Sequence, residues 1–467
     1  GWTMLRPEGG SGFLATNSIA EGDSRQSGLE WLVRDGAVIY AAYPSEAWPG
    51  KAAVVTSRVH IRRGRWKGDR VLSGTTVSEI SPFLTLGEQW SQVPLKKNQD
   101  LAFLGTLTVG MGFVLTNDDA ARMIEEDPKN GRVLFPYLNG QDLNSSSSQS
   151  PSRYVINFWD WPEERAREYE LPFKYIEENV KPERQRRKAN GDFALRRPLP
   201  QRWWQHGDKR PALYHAIGRG HHFENHPHDW SADQEPLGRI IAVTRVSKTL
   251  AFSFVPSDWI YSDATVVFAS DQGATLAVLQ SSIHAVFAWQ HSSRLKNDLR
   301  YSPTDALEPF AFPTSSLSNS LEVLGNELDR SRREVMTADD IGLTKLYGRF
   351  HSEDNNSNQV ARLREIQREI DQALSITFGW DDLDLGHGFH EVPYLPENDR
   401  TRFTISEAAR LDVLRRLSDL NRQRYQKEVE AGLHKATKKQ ALGRKRTDQD
   451  DGDLFSADTA ETGPVDG

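Results

Sequence analysis

The 467-residue sequence has no cysteine, which excludes disulfides and thiolate metal sites and fits a reducing cytoplasm. No apolar run approaches the length needed to span a bilayer and no signal-peptide pattern opens the chain, so no membrane partner is expected. Nor is there an excess of positive charge. The formal net charge is −7, from 58 Lys and Arg against 65 Asp and Glu. That argues against a uniformly basic nucleic-acid coat, so such a partner would need cations gathered on one face. The Gly-x-Ser-x-Gly elbow, the Walker-type loop and a metal-dependent nuclease core are missing too, leaving no self-contained catalytic machinery. What is there is a chain 37% hydrophobic and 26% charged, long enough for two or three domains.

Tryptophan is plentiful, at 13 residues, and one stands where the chain turns sharply. In Ala47-Trp48-Pro49-Gly50-Lys51 the Pro/Gly pair punctuates the chain before a run of small and β-branched residues that reads as a buried strand. An aromatic at a strand's mouth suits stacking on a flat ligand such as a nucleobase. The commoner fate of a tryptophan is to cap a core. The turn alone leaves both readings open.

Taken in order, residues 1–7 read as the end of a helix, so the chain is expected to be part of a longer reading frame. Residues 13–18, 37–42 and 52–62 read as strands, and 23–32 as a helix opened by a capping Asp or Ser. That succession suits the closing portion of an α/β sheet. Residues 64–100 read as a polar connector with short strands. A helix is expected from the Thr116 cap, and a strand from Val133 that turns at Asn139-Gly140. A strand follows at 154–158, then a helical pattern over 162–184 interrupted by Pro172. Further strands fall at 240–245, 251–255 and 265–269, with an amphipathic helix at 273–290. Long polar helices are expected at 321–335, 343–350, 359–378 and 404–430, and a disordered tail from about residue 435.

The most basic window is 181–210, ten Lys and Arg against three Asp and Glu, with Trp203 and Trp204 inside it. Cations interleaved with aromatics suit phosphate contacts plus stacking on bases, and a solvated charged helix fits equally well. His206, His215, His221, His222, His226 and His228 crowd one span. They lack ligand-pair spacing, so a polar loop and no metal is expected. Gly110-Met111-Gly112 is too short to cradle a phosphate.

Several motifs, in this order, carry a resemblance. They include Gly12-Phe13-Leu14-Ala15-Thr16-Asn17-Ser18, Ala47-Trp48-Pro49-Gly50-Lys51, Gly110-Met111-Gly112-Phe113-Val114-Leu115, Leu134-Phe135-Pro136-Tyr137-Leu138-Asn139-Gly140 and Leu343-Thr344-Lys345-Leu346-Tyr347-Gly348. Together they resemble the closing part of class I S-adenosylmethionine-dependent DNA adenine-N6 methyltransferases. The similar family is the MmeI-like one of restriction-modification and phage defence, and the likeness covers most of residues 1 to about 380.

The resemblance implies an α/β fold that opens on the closing strands of a Rossmann-like methyltransferase sheet, over residues 1–72. A connecting segment (73–132), an α/β target-recognition domain (133–315), a helical region (316–385) and a helical then disordered tail (386–467) would follow. It further implies methyl transfer from S-adenosylmethionine to a flipped adenine in double-stranded DNA, in the cytoplasm, with other restriction or defence-system subunits as partners. The family's glycine-bearing cofactor loop and Asn-Pro-Pro-aromatic tetrapeptide occur nowhere in this sequence, so the chain is not expected to methylate by itself. The alternative is a non-catalytic DNA-binding specificity module acting with a separate catalytic chain. By the same resemblance Trp48 would lie on the extruded adenine, Asn17 would face the cofactor side and Lys51 the phosphates. Arg184, Arg187, Lys209, Arg210, Arg245 and Lys248 are the candidates for base edges and backbone.

Overall fold

The first sheet is built from β1 (Gly10–Thr16), β2 (Ala37–Ala47), β3 (Val55–Arg63), β4 (Arg70–Leu72) and β5 (Thr75–Val77), in the order β1-β3-β2-β4-β5. The computed structural model describes residues 2–434 except 21, 49–54, 86–91, 228–229, 232, 296–297, 314–317, 393–394 and 396–398. β3 is inserted between β1 and β2, antiparallel to both, so β1 and β2 point the same way. Between them the chain returns through α1 (Gly22–Arg25), a π turn at Gln26–Glu30 and α2 (Trp31–Arg34). Ala42, Val59 and Ile61 share a core with Leu29 and Leu32 of that helical passage. Pro44 is tolerated within β2 because the register slips between Tyr43 and Glu46, an irregularity where a missing N–H costs little.

The segment expected as a connector is divided between two units. β4, β5, Ile80 and Leu84 extend the first sheet and its core. β6 (Ala102–Leu104) and β7 (Val114–Thr116) belong to sheets of the next unit. β6 lies beside β14 (Thr265–Phe268), which pairs with β10 (Arg239–Thr244), which pairs with β12 (Ser253–Pro256). β10 is apolar on both faces because both are covered. Ile240 and Ala242 face a core with Leu138 and Trp159, whereas Ile241 and Val243 face one with Phe252 and Leu276, the alternation a strand imposes.

β7 pairs with β9 (Arg153–Ile156), β9 with β8 (Leu134–Leu138), and β8 in parallel with β13 (Ile260–Tyr261). After β7 the Thr116 hydroxyl accepts the Asp119 N–H and starts α3 (Asn117–Glu126), as its capping pattern requires. The turn expected at Asn139-Gly140 is the start of a helix instead, α4 (Gly140–Ser145). Asn139 Oδ1 accepts the N–H groups of Gln141 and Asp142, since an asparagine before glycine serves an N-cap as readily as a hairpin. The pattern over 162–184 forms three helices, α5 (Glu163–Ala166), α6 (Glu170–Asn179) and α7 (Lys181–Arg184). Pro172 falls in the first turn of α6, where its missing N–H has no helical partner to lose. α8 (Pro211–Ala216) follows, and β11 (Val246–Ser247) forms a small sheet with β15 (Ser293–Leu295) and β16 (Asp298–Arg300) in the order β11-β16-β15.

The stretch expected as one amphipathic helix is two, α9 (Gly273–Gln280) and α10 (Ser282–His291), parted at Ser281, whose hydroxyl caps α10. Both are buried on nearly every face rather than on one stripe. They share a core with α11 (Asn319–Asp339), α12 (Leu343–Phe350), α13 (Asn358–Phe378), the hairpin of β17 (Gly388–Glu391) and β18 (Thr401–Thr404), and α14 (Glu407–Glu430). Ser318, Ser357 and Ser406 cap α11, α13 and α14. Gly325 and Gly273 let the α11 and α9 backbones touch where a Cβ has no room. Buried polar groups fix the docking: Arg332 Nη2 donates to the Phe252 carbonyl at 2.6 Å, and Asp371 accepts from the Ser282 N–H at 2.7 Å and His387 Nε2 at 2.8 Å. The tail from residue 435 lies outside the described residues. Among the described residues, no helix is long and apolar enough to cross a membrane.

Candidate nucleic-acid interface

β2 ends at Ala47, and the indole of Trp48, the next residue, is 40% exposed. A core-capping tryptophan is covered like Trp2, at 7%. Just before it, Arg58 donates to both Glu46 oxygens at 2.6 and 2.7 Å. These bonds hold the Glu46 carboxyl below its usual range. Trp48 follows the carboxyl end of β2, which runs parallel to β1, and this is the end at which open α/β sheets bind ligands. Asn17 follows directly on β1 at the same end. Lys51 lies outside the described residues.

The passage from α1 to α2 forms one wall of a cleft of about 1090 Å³, faced by Arg210, Arg245 and Arg300 of the second unit. Carboxylates alternate with these cations. Arg34 pairs with Glu30 at 2.6 Å, and Arg210 pairs with Asp208 at 2.9 Å while its Nε donates to the Gly105 carbonyl at 3.2 Å. The cleft is therefore not a uniformly basic groove. Two residues that line it, Arg25 and His291, both touch Phe83, which takes the Arg25 guanidinium on its face at 3.8 Å and presents an edge contact to His291 at 5.4 Å.

The basic window is not a helix face. α7 ends at Arg184, and the chain then closes a loop on itself: the Ala194 N–H donates to the Arg186 carbonyl and the Lys188 N–H to the Asp192 carbonyl, both at 2.8 Å. Gly191 makes the turn with φ 86°, a conformation glycine adopts freely. Arg186, Arg187, Lys188, Arg196 and Arg197 are exposed on this loop, and Asp192 is the one acid in residues 185–197. Arg187 is braced, donating to the Gly191 carbonyl at 2.7 Å with its guanidinium 4.3 Å from the Phe193 ring centre.

Three residues of the window are corrected by their burial. Arg184 is 1% exposed; it donates to the carbonyls of Thr108 and of Val109 (3.1 Å) and sits 5.5 Å from the Phe113 ring centre. Desolvation lowers its pKa to about 10. It holds the fold and does not face a ligand. Trp203 and Trp204 are buried, the latter donating to the Trp161 carbonyl at 2.9 Å. Neither offers a face for base stacking, because the apolar residues around them claim the rings. Lys209 is half-buried, with Nζ 3.1 Å from Gln205 Oε1, and desolvation lowers its pKa. Lys248 is exposed beside a separate small cavity that also takes in His351 and Arg402. The structure thus brings Arg210 and Arg245 together at the cleft, puts Arg187 on the loop, and leaves Lys248 apart.

Two members of the histidine cluster, His206 and His222, are packed into the fold. His206 is buried with Nε2 2.8 Å from the Ile156 carbonyl, and burial pushes its pKa down to about 3. His222 stacks on Trp159 at 4.4 Å, and His228 lies outside the described residues. No metal-binding group of side chains occurs among the described residues. Sequence reasoning did not single out Arg186, Lys188, Arg196 and Arg197. The signal was the Asn190-Gly191-Asp192 turn at the middle of the window, which displays its flanks to solvent.

The family model described as the MmeI target recognition domain matches residues 90–314. The match takes in β6 and β7, in keeping with their pairing. The chain is similar in fold to MmeI, a type IIL restriction-modification enzyme solved in complex with DNA: TM-score 0.60 and 15% identity, over 89% of this chain and 50% of that one. It therefore spans about half the length of that structure. The type IIG restriction endonuclease BpuSI is 10% identical over 81% of this chain and 48% of its own, with a TM-score of 0.27, which carries no argument. No curated protein matches the chain.

Proposed function

We propose that this chain reads a sequence in duplex DNA on behalf of a site-specific adenine-N6 methyltransferase of a restriction-modification or phage-defence system. It contributes the closing strands of the catalytic sheet and the target recognition domain. The observation that carries this reading is the recognition-domain match over residues 90–314, the same residues that build the exposed cationic loop. Charge supports it: phosphate contacts need displayed cations, and a net-negative chain supplies them locally at Arg186, Arg187, Lys188, Arg196 and Arg197. Arg210 and Arg245 line the cleft on the recognition side, where duplex held between the two units would meet them. Arg184 serves this interface by bracing it from within.

Trp48 is the residue assigned to the extruded adenine. Half-exposed at the carboxyl end of the parallel strands, it offers a flat apolar face to a base that has left the stack. Asn17 stands at the same strand ends. S-adenosylmethionine would supply the methyl group in the complete enzyme. The described residues do not fit a cradle for it: no glycine-rich strand-to-helix loop is present, and Gly110-Met111-Gly112 opens a tight turn instead of a helix.

The test is binding by the full chain to a randomised duplex pool, with rounds of selection and affinity measured across a salt series. Enrichment of one sequence and a log-linear fall of affinity with salt are expected. A pool that stays random after selection, or binding indifferent to salt, would sink the reading.

A further inference from the structure

The turn between β6 and β7 carries an apolar side chain where solubility gains nothing from it. Met111 is 62% exposed and Leu107, four residues before, is 37% exposed. The backbone under them is held from several sides. Arg184 donates from the interior to the carbonyls of Thr108 and Val109. Leu107 and Asp208 exchange two backbone hydrogen bonds at 3.0 Å. Val109 has φ 54° and Gly110 φ 110°; the first is a strained conformation for a β-branched residue, of the kind that persists only where its surroundings impose it. Gly112 packs against the Asn179 carbonyl with no room for a Cβ, and Phe113 after it is fully buried. A buried arginine, a strained valine and an obligate glycine thus combine to push one methionine outward.

The surroundings say what it meets. The cationic loop begins two residues beyond Arg184 in the chain, and Arg210 donates to the Gly105 carbonyl, so cations are anchored on the backbone that carries the apolar tip, with the Glu183 carboxylate beside Gly110. A phosphate cradle is ruled out by Glu183, whose Oε2 would stand 3.1 Å from a Cβ on Gly110. Rigid apolar tips flanked by phosphate-binding cations are the devices that enter between base steps and partly unstack them.

We propose that Met111, supported by Leu107, is a wedge that enters a base step of the bound duplex. This deepens the DNA reading above and rests on it. Arg184 is its positioning residue. Opening a step costs unstacking, so a wedge binds more tightly to a duplex in which that step is already disrupted.

The full chain is titrated by fluorescence anisotropy with a fully paired mixed-sequence duplex and with the same duplex carrying two adjacent central mismatches. Wild type is expected to prefer the mismatched duplex by about tenfold. Met111→Ala and the volume-conserving Met111→Gln should both bring that ratio close to one, with the salt dependence on the paired duplex unchanged. A preference retained in both variants, or absent from wild type, overturns the wedge. So does a change in self-association or protein binding in the variants with the ratio intact, which would make the tip a protein contact. Failure of wild type to bind either duplex would remove the DNA reading itself, a separate outcome.

Discussion

The guanidinium of Arg25 lies 3.8 Å from the centre of the Phe83 ring, and both side chains are buried. Arg25 comes from the end of α1, Phe83 from the chain after β5, and His291 from α10 closes the other side of the ring. A desolvated cation on an aromatic face is worth about 2 kcal/mol. The Arg25–Phe83 contact lies within the first unit, and the edge contact of Phe83 with His291, 5.4 Å between ring centres, carries it across to the second.

Phe83→Ala should loosen that junction. Deleting a buried phenylalanine costs about 3–5 kcal/mol, and here the loss falls on the contact between units. Scanning calorimetry is expected to show the N-terminal unit melting ahead of the rest. A single transition at the wild-type temperature would show that the junction holds nothing together.

Trp48→Ala, placed in the complete enzyme, should lower adenine methylation while duplex affinity stays nearly constant. Stacking contributes on the order of 1–3 kcal/mol per base, and it engages only the base that has left the helix. Methylation and affinity falling by the same factor would make Trp48 a structural residue.

Arg187 and Arg184 should part company although three positions separate them. Arg187→Ala is expected to reduce the slope of log affinity against log salt by about 1, with thermal stability unchanged because the side chain is exposed. Arg184→Ala should lower the unfolding midpoint, since the carbonyls of Thr108 and Val109 lose their buried donor. An unchanged slope for Arg187→Ala takes the loop off the DNA.

Acid should destabilise the chain before its carboxylates titrate. Burial holds His206 and His284 down to about 3, and His291 and His351 well below the ordinary histidine value. Each is neutral when folded and free to protonate when unfolded. Below about pH 6.5 the unfolded state binds more protons, so stability falls with falling pH, by up to about 1.4 kcal/mol per pH unit for each histidine. Urea midpoints measured from pH 7 to pH 5 should decline steadily. A flat profile would mean that these rings open to solvent without unfolding.

Much of the candidate site was legible in local residue order. The strand-helix-strand opening and the helices capped at Thr116 and Ser406 rest on spacing and capping chemistry over a few neighbours, and they appear where those rules put them; the Pro49-Gly50 turn lies outside the described residues. The Asn139-Gly140 reading failed for a local reason, since the same dipeptide suits two kinds of turn and only the residues packed beyond it choose. Helix 273–290 failed for a longer-range one: an apolar segment cannot reveal whether one face or every face will be covered until α11 and α13 lie against it.

Sequence alone determined the class of fold, the presence of a cationic segment and the absence of a catalytic motif set, because composition and periodicity act through near neighbours. Which cations of that segment reach solvent was decided only in three dimensions. Arg184 and Arg187 differ by one turn of chain, yet one is drawn inside by carbonyls 75 and 76 positions away and the other is left in water. Burial is a property of what the distant chain brings to a residue, and a cation's role follows from its burial.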